Sequence, residues 1–281
     1  MGDTYTSIFF FVVITLIYYT FLKPKTTLEV VEGDLEIQEK FHTLSRYYLF
    51  GYALFVIIIQ FLINAYQLVS SCGGDLGSNF SAAATLTVIP WVIIFGTVII
   101  LLMMFPGFKS AFSNVIGYFA VAQSANNIFA ELLENTDLQE QLDQAPNADP
   151  KKKTEMEKAA ETIIKICGDS SIIINQMVPE NFEEFWSLLT PLMKPENKME
   201  TPKHELKEQL LNLVVTKDDI GEAMWFVYTA LLLITVINYN ITARGCKLTP
   251  EMQKKKHEEF LKEEEEREKE NQIRNSTVYS G

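Results

Sequence analysis

Few side chains in this sequence have a type and spacing that could do chemistry, and the most regular of them are amides. Gln60, Asn64 and Gln67 recur at intervals of four and three inside the apolar run 47–69, which puts them along one face of a helix. An amide in hydrocarbon loses its water and needs a replacement partner. Two chemistries follow. The face either bonds neighbouring helices, each bond contributing on the order of 1 kcal/mol, or it lines a polar permeation path. The three histidines, His42, His204 and His257, stand outside any HExxH, deaminase or triad-like pattern, and no GxSxG, GxxxxGK[ST] or GxGxxG occurs. Cys72, Cys167 and Cys246 are odd in number and far apart, so they read as inert thiols that form neither a disulfide framework nor a zinc site. The carboxylates lie in charge runs that a solvated surface explains. No catalytic, cofactor-binding or metal-binding set emerges, which points to a non-enzymatic protein without a cofactor. Ionisable residues are scarce within the apolar runs, which weakens a transporter reading and leaves a neutral pore open.

The elements that must position these residues are apolar blocks at 7–22, 47–69, 85–105 and 222–242, while 131–220 and 247–275 hold most of the charge. Their arrangement predicts an all-α polytopic membrane protein with about four transmembrane helices, a small helical extramembrane domain and a charged C-terminal helix. A formal charge of −12 argues against nucleic-acid binding, because phosphate recognition needs a clustered basic surface. Residues 1–22 read as a retained anchor, since no basic segment precedes the run and Lys23-Pro24-Lys25 follows it in place of a cleavage site. Met1-Gly2 with Thr6 matches a loose myristoylation pattern, against which Asp3 counts. Residues 23–46 form a polar connector, read either as a short hairpin around Glu32-Gly33-Asp34 or as a loop leading into a helix at Leu35. Residues 47–130 form a two-span hairpin with an interfacial exit helix.

The stretch Thr85–Tyr118 organises the rest. Its apolar run is long enough to cross about 30 Å of hydrocarbon. It then stops at Pro106, which lacks an N–H, and at Gly107, which tolerates a left-handed or sharp turn, while Lys109 puts a charge where headgroups begin. The Ser70–Ala84 loop has no Lys or Arg and carries the sequon Asn79-Phe80-Ser81, which places it on the non-cytoplasmic side; the connector and Lys109 then face the cytoplasm.

In the helical domain 131–220, amphipathic segments are expected at 151–167, 179–193 and 206–214, with Phe182, Phe185 and Trp186 as candidate partner contacts or as core. The last span is 221–246, and the tail 247–281 reads as a helix laced with Glu–Lys pairs. Four spans put this tail opposite the domain, whereas Arg244, Lys247 and Lys254 to Lys256 favour the cytoplasm. Either 112–130 also crosses, or one run, most readily the first, does not.

The eight residues Pro106, Gly107, Lys109, Ser110, Phe112, Asn114, Gly117 and Tyr118 form a membrane-exit motif. In this motif the chain resembles a membrane-protein family of large icosahedral double-stranded DNA viruses, the chlorella-virus and mimivirus relatives. The resemblance implies a virion component, a minor capsid protein held in the internal membrane beneath the shell. Its implied partners are the lipid bilayer, major and minor capsid proteins and, through self-association, further copies of this chain.

Overall fold

The computed structural model describes residues 2–73, 75–133, 170–190 and 193–243, with 254, 257–258 and 260–269 of the tail. Among the described residues the chain is helical, apart from one isolated bridge between Leu133 and Met193. Four helices are long and apolar enough to cross a membrane: Thr4–Leu22, Leu35–Cys72, Leu76–Met104 and Lys203–Ala243. The stretch 112–130 is not among them.

Helix α1 (Gly2–Ile17) continues through a π turn (Tyr18–Leu22), so Tyr5 and Thr6 lengthen the first run into a full span. The connector holds no hairpin: a one-turn α2 (Leu28–Val31) is followed by α3 (Leu35–Cys72), started by the Asp34 carboxylate accepting from the Ile37 N–H at 3.0 Å. Residues 35–46 therefore belong to the second spanning helix. In the third span, α4 (Leu76–Pro90) and α5 (Gly96–Met104) are joined by a π turn (Trp91–Phe95). Pro90 cannot donate to the ladder, and the π turn lets the helix pass it. A 3-10 turn (Pro106–Lys109), α6 (Ser110–Phe112) and a π turn (Ser113–Gly117) lead to α7 (Tyr118–Leu132). After α8 (Ser170–Gln176) and α9 (Phe182–Leu189), α10 runs unbroken from Glu200 to Ala243. The expected helix at 206–214 and the last span are thus one element, with no boundary at 220. The expected helix at 151–167 lies outside the described residues. In the tail, 260–269 is helical and exposed.

The chain divides into two compact units. The first comprises Met1–Phe11, Phe55–Ile94 and Ala230–Gly281. Its buried side chains include Phe11, Val56, Ala65, Leu68, Ala83 and Trp91, with Phe11 and Trp91 rings 5.9 Å apart. Large apolar residues point outward, among them Phe9, Leu62, Tyr66, Ile93 and Leu232, while Gln60, Asn64 and Gln67 are buried. Water would penalise that arrangement and lipid favours it.

The second unit comprises Val12–Leu54 and Phe95–Thr229. One part of it is an aromatic cluster. Tyr18 stacks on Tyr52 at 4.5 Å, Phe226 lies 5.9 Å from Tyr52 and 5.3 Å from Phe95, and Thr15 shares a 2.8 Å hydrogen bond with the Tyr52 hydroxyl. The other part is the core of a helical module, built from Val121, Ala125 and Phe129 of α7, Ile174 of α8, Phe182 and Trp186 of α9, and Leu210 and Val214 of α10. The C-terminal carbonyls of α7 are satisfied from outside the helix. Lys194 donates its backbone N–H to Leu132 O at 3.1 Å and Asn197 donates its side-chain amide to Glu131 O at 2.7 Å.

Candidate functional site

The exit motif predicted from sequence does not hang free at the membrane surface. It docks along one face of α10, where four of its eight residues, Lys109, Phe112, Asn114 and Gly117, have a specific partner. Lys109 donates to the Asp218 carboxylate at 2.8 Å, Asn114 Oδ1 accepts from the Lys217 ammonium at 3.1 Å, and the Phe108 carbonyl accepts from the Trp225 indole at 2.9 Å. Phe112 meets Trp225 edge to face at 5.1 Å. Tyr118 packs against the module core. Pro106 opens the 3-10 turn, and the Ser110 hydroxyl donates back to Gly107 O at 2.6 Å. Lys109, at the end of the third span, is thus held by Asp218, a partner its sequence reading did not name. Gly107 takes the sharp-turn alternative, within the 3-10 turn; among the described residues the only positive φ belongs to Gly73 (74°), just beyond α3, where glycine ends the helix without steric penalty.

The contact is close because glycines stand on both sides of it. A Cβ at Gly117 would lie 2.5 Å from the Lys217 carbonyl oxygen, and one at Gly221 would lie 2.6 Å from Ser113 Cβ. Such approach is how small residues let helices meet in membranes.

Beside these glycines sits a partly buried ionic network, in which Asp218 and Glu222 are buried and Lys23, Lys109 and Asp219 half-buried. Asp218, Asp219 and Glu222 share one side of α10 through their i, i+1, i+4 spacing. Lys23, directly after the first span, bonds Asp219 at 2.7 Å and also Glu222. The Tyr19 hydroxyl donates to Glu222 at 3.1 Å, and Lys109 lies 3.8 Å from the same carboxylate. Burial alone would pull the Lys23 ammonium below the usual lysine range; the Glu222 and Asp219 carboxylates outweigh it and hold the pKa above that range. Lys109 is held up in the same way by Glu222 and Asp218. Opposing charges thus join the end of the first span, the exit of the third and α10. Removing one member of such a pair costs about 3–5 kcal/mol, because its partner is left buried and unpaired.

Sequence reasoning missed this network. It treated Lys23 and Lys109 as surface charges and began the last span at Glu222, so the acids went unexamined. The available signal was a lysine at each of two span ends and three acids at helical spacing where a fourth run begins.

The intramembrane amide face is engaged in packing. Gln60 donates to Ser7 O at 2.9 Å, Asn64 to Thr87 Oγ1 at 2.9 Å and Gln67 to Asn238 Oδ1 at 2.6 Å, and Asn238 in turn reaches Thr4. Each amide binds a different helix. Phe182 and Trp186 are buried and Phe185 is partly buried against the same core, so these candidate partner contacts are core residues instead. Asn79 sits in the first turn of α4 with its amide donating to Gly73 O at 3.0 Å and Asp75 O at 3.1 Å, which engages the sequon's acceptor nitrogen. Cys72 is disulfide-bonded, a correction to its reading as an inert thiol; Cys167 and Cys246 lie outside the described residues. Among the described residues no three of His, Cys, Asp and Glu converge to hold a metal ion. No protein-family model, curated protein or solved structure matches this chain.

Proposed function

We propose that this chain is a structural anchor: a minor capsid protein of a large icosahedral DNA virus, embedded in the internal membrane and linking it to the capsid shell by protein contacts. The viral setting rests on the resemblance of the exit motif. The anchoring role rests on one observation, the clamp of that motif onto α10 through Lys109–Asp218, Asn114–Lys217 and the Gly117 and Gly221 approaches. A tether must pass force between its membrane part and its contact part without a slack joint. Here α10 is a single 44-residue helix that supplies both the last span and a wall of the module core. The protein acts by contact and not by catalysis.

The disulfide at Cys72 fits an oxidising, non-cytoplasmic location for the end of α3. The permeation alternative loses its support, since the amide face that suggested it bonds Ser7, Thr87 and Asn238.

The test is cross-linking of intact particles followed by detergent stripping. We expect this chain in the particle, cross-linked from its module to shell proteins and released with the internal lipid when those links are absent. Its absence from every particle fraction overturns the proposal.

A further inference from the structure

We infer that a cavity in the second unit binds the headgroup of a phospholipid carrying both a phosphate and a primary ammonium, a phosphoethanolamine. The cavity encloses about 390 Å³, inside the roughly 300–1,000 Å³ range of small-ligand sites. Its walls come from the ends of spanning helices. Lys23 follows the first span directly, Met103 is one residue from the end of the third, and Asp219 and Glu222 lie where α10 turns apolar. Those positions set the cavity at the level where hydrocarbon gives way to headgroups.

The charges on the wall choose the ligand. Lys23 and Lys109 are taken up by the ionic network. Arg46 also lines the cavity, is exposed, and has no hydrogen-bond or ion-pair partner among the described residues. A guanidinium with free donors matches phosphate oxygens bidentately. The lining carries three permanent cations, Lys23, Arg46 and Lys109, against five carboxylates, Glu180, Glu183, Asp218, Asp219 and Glu222; Glu183 is paired from outside the lining by Lys207 at 2.7 Å, so the surplus that remains is 3 − 4 = −1. A purely anionic headgroup is disfavoured by that surplus, whereas an ammonium is drawn to it. Glu180, like Arg46, has no partner among the described residues. The ammonium must be primary, because a quaternary one has no proton to give a carboxylate. Leu49 and Leu102 supply apolar wall for the glycerol and first methylenes.

The experiment uses the full chain in detergent with phosphatidylethanolamine, phosphatidylcholine or phosphatidylglycerol of identical acyl chains, read by native mass spectrometry and by thermal stability. We expect preferential retention of phosphatidylethanolamine, and a loss of about tenfold in that retention for Arg46→Gln and for Glu180→Gln, the worth of one charge-assisted hydrogen bond. Lipid-free stability of both variants should match the parent, since neither side chain has a partner to lose. Equal retention of the three lipids, or a preference for phosphatidylglycerol, overturns the inference. So does equal protection by free O-phosphoethanolamine, which would make the ligand a soluble headgroup and not a lipid.

Discussion

Replacing Gly221 with alanine is the smallest change that presses on the clamp between α10 and the exit segment. The added Cβ would lie 2.6 Å from Ser113 Cβ and 2.9 Å from both Lys109 O and Ser113 N. Two of these three atoms are backbone, so no rotamer change relieves the clash. The segment must move by about 1 Å to restore ordinary carbon contact at about 3.5–4.0 Å. Two effects compete. Alanine gains about 1 kcal/mol of helix propensity over glycine. Overpacking costs about 1–3 kcal/mol, and moving Lys109 also loosens its partly buried pair with Asp218, whose full loss is worth about 3–5 kcal/mol. The steric side wins, for a net loss of about 2 kcal/mol, or about 4–8 °C in Tm at 2–4 °C per kcal/mol. Gly51→Ala is the control. A Cβ there meets nothing within 4 Å, so propensity acts alone and Tm should hold or rise. The assay is thermal unfolding of the full chain in detergent followed by tryptophan fluorescence, with Trp225 reporting from the clamp itself. Gly117→Ala should follow Gly221→Ala. If Gly221→Ala melts with Gly51→Ala, the close approach does not exist in solution and the rigid coupling fails with it.

Four further outcomes are expected. Lys23→Met should destabilise by about 3 kcal/mol, because Glu222 and Asp219 are left underpaired. The Lys23 and Lys109 pKa values lie above the ordinary 10.5, so their stabilisation is complete below that pH and is lost as pH rises through the raised values; the parent should stay level in stability to about pH 10 and weaken above it, and Lys23→Met should show a shallower alkaline decline. Asn64→Leu should lower stability by about 1 kcal/mol by stranding Thr87, with no change in solute flux through reconstituted liposomes; flux that Asn64→Leu abolishes would restore the permeation path. Cys72 should resist alkylation in denaturant until a reductant is added, and labelling without reductant would contradict its disulfide.

The spans were legible because a membrane helix is announced by its own composition. The runs beginning at Ile8, Tyr47 and Thr85 needed no knowledge of neighbours. Partnership was harder to read. The amides at Gln60, Asn64 and Gln67 could be recognised as a face, and physics said that the face needs partners; only the fold shows that they are Ser7, Thr87 and Asn238. The exit motif was found for its breaks, Pro106 and Gly107, yet its structural content lies in Lys109, Asn114 and Gly117, whose partners stand about a hundred residues later on α10. Lys109 illustrates the limit. A lysine after an apolar run snorkels by default, and what holds this one is Asp218, a non-local charge that no window around residue 109 contains. The join between 206–214 and the last span was missed for a related reason. Hydropathy changes sharply near Glu222, but the backbone helix does not, since its polar stretch is amphipathic and packs Leu206, Leu210 and Val214 into the module core.

The most direct test of the membrane anchoring is the environment of the third span. Spin labels placed singly at Ile93 and Ile100, both outward-facing, and at Trp91, which is fully buried, are to be compared in proteoliposomes by their collisions with oxygen and with a water-soluble nickel complex. We expect frequent oxygen and rare nickel encounters at Ile93 and Ile100, and few of either at 91. Frequent nickel encounters at Ile93 or Ile100 would mean that water, not acyl chains, surrounds this helix, and would contradict the anchor.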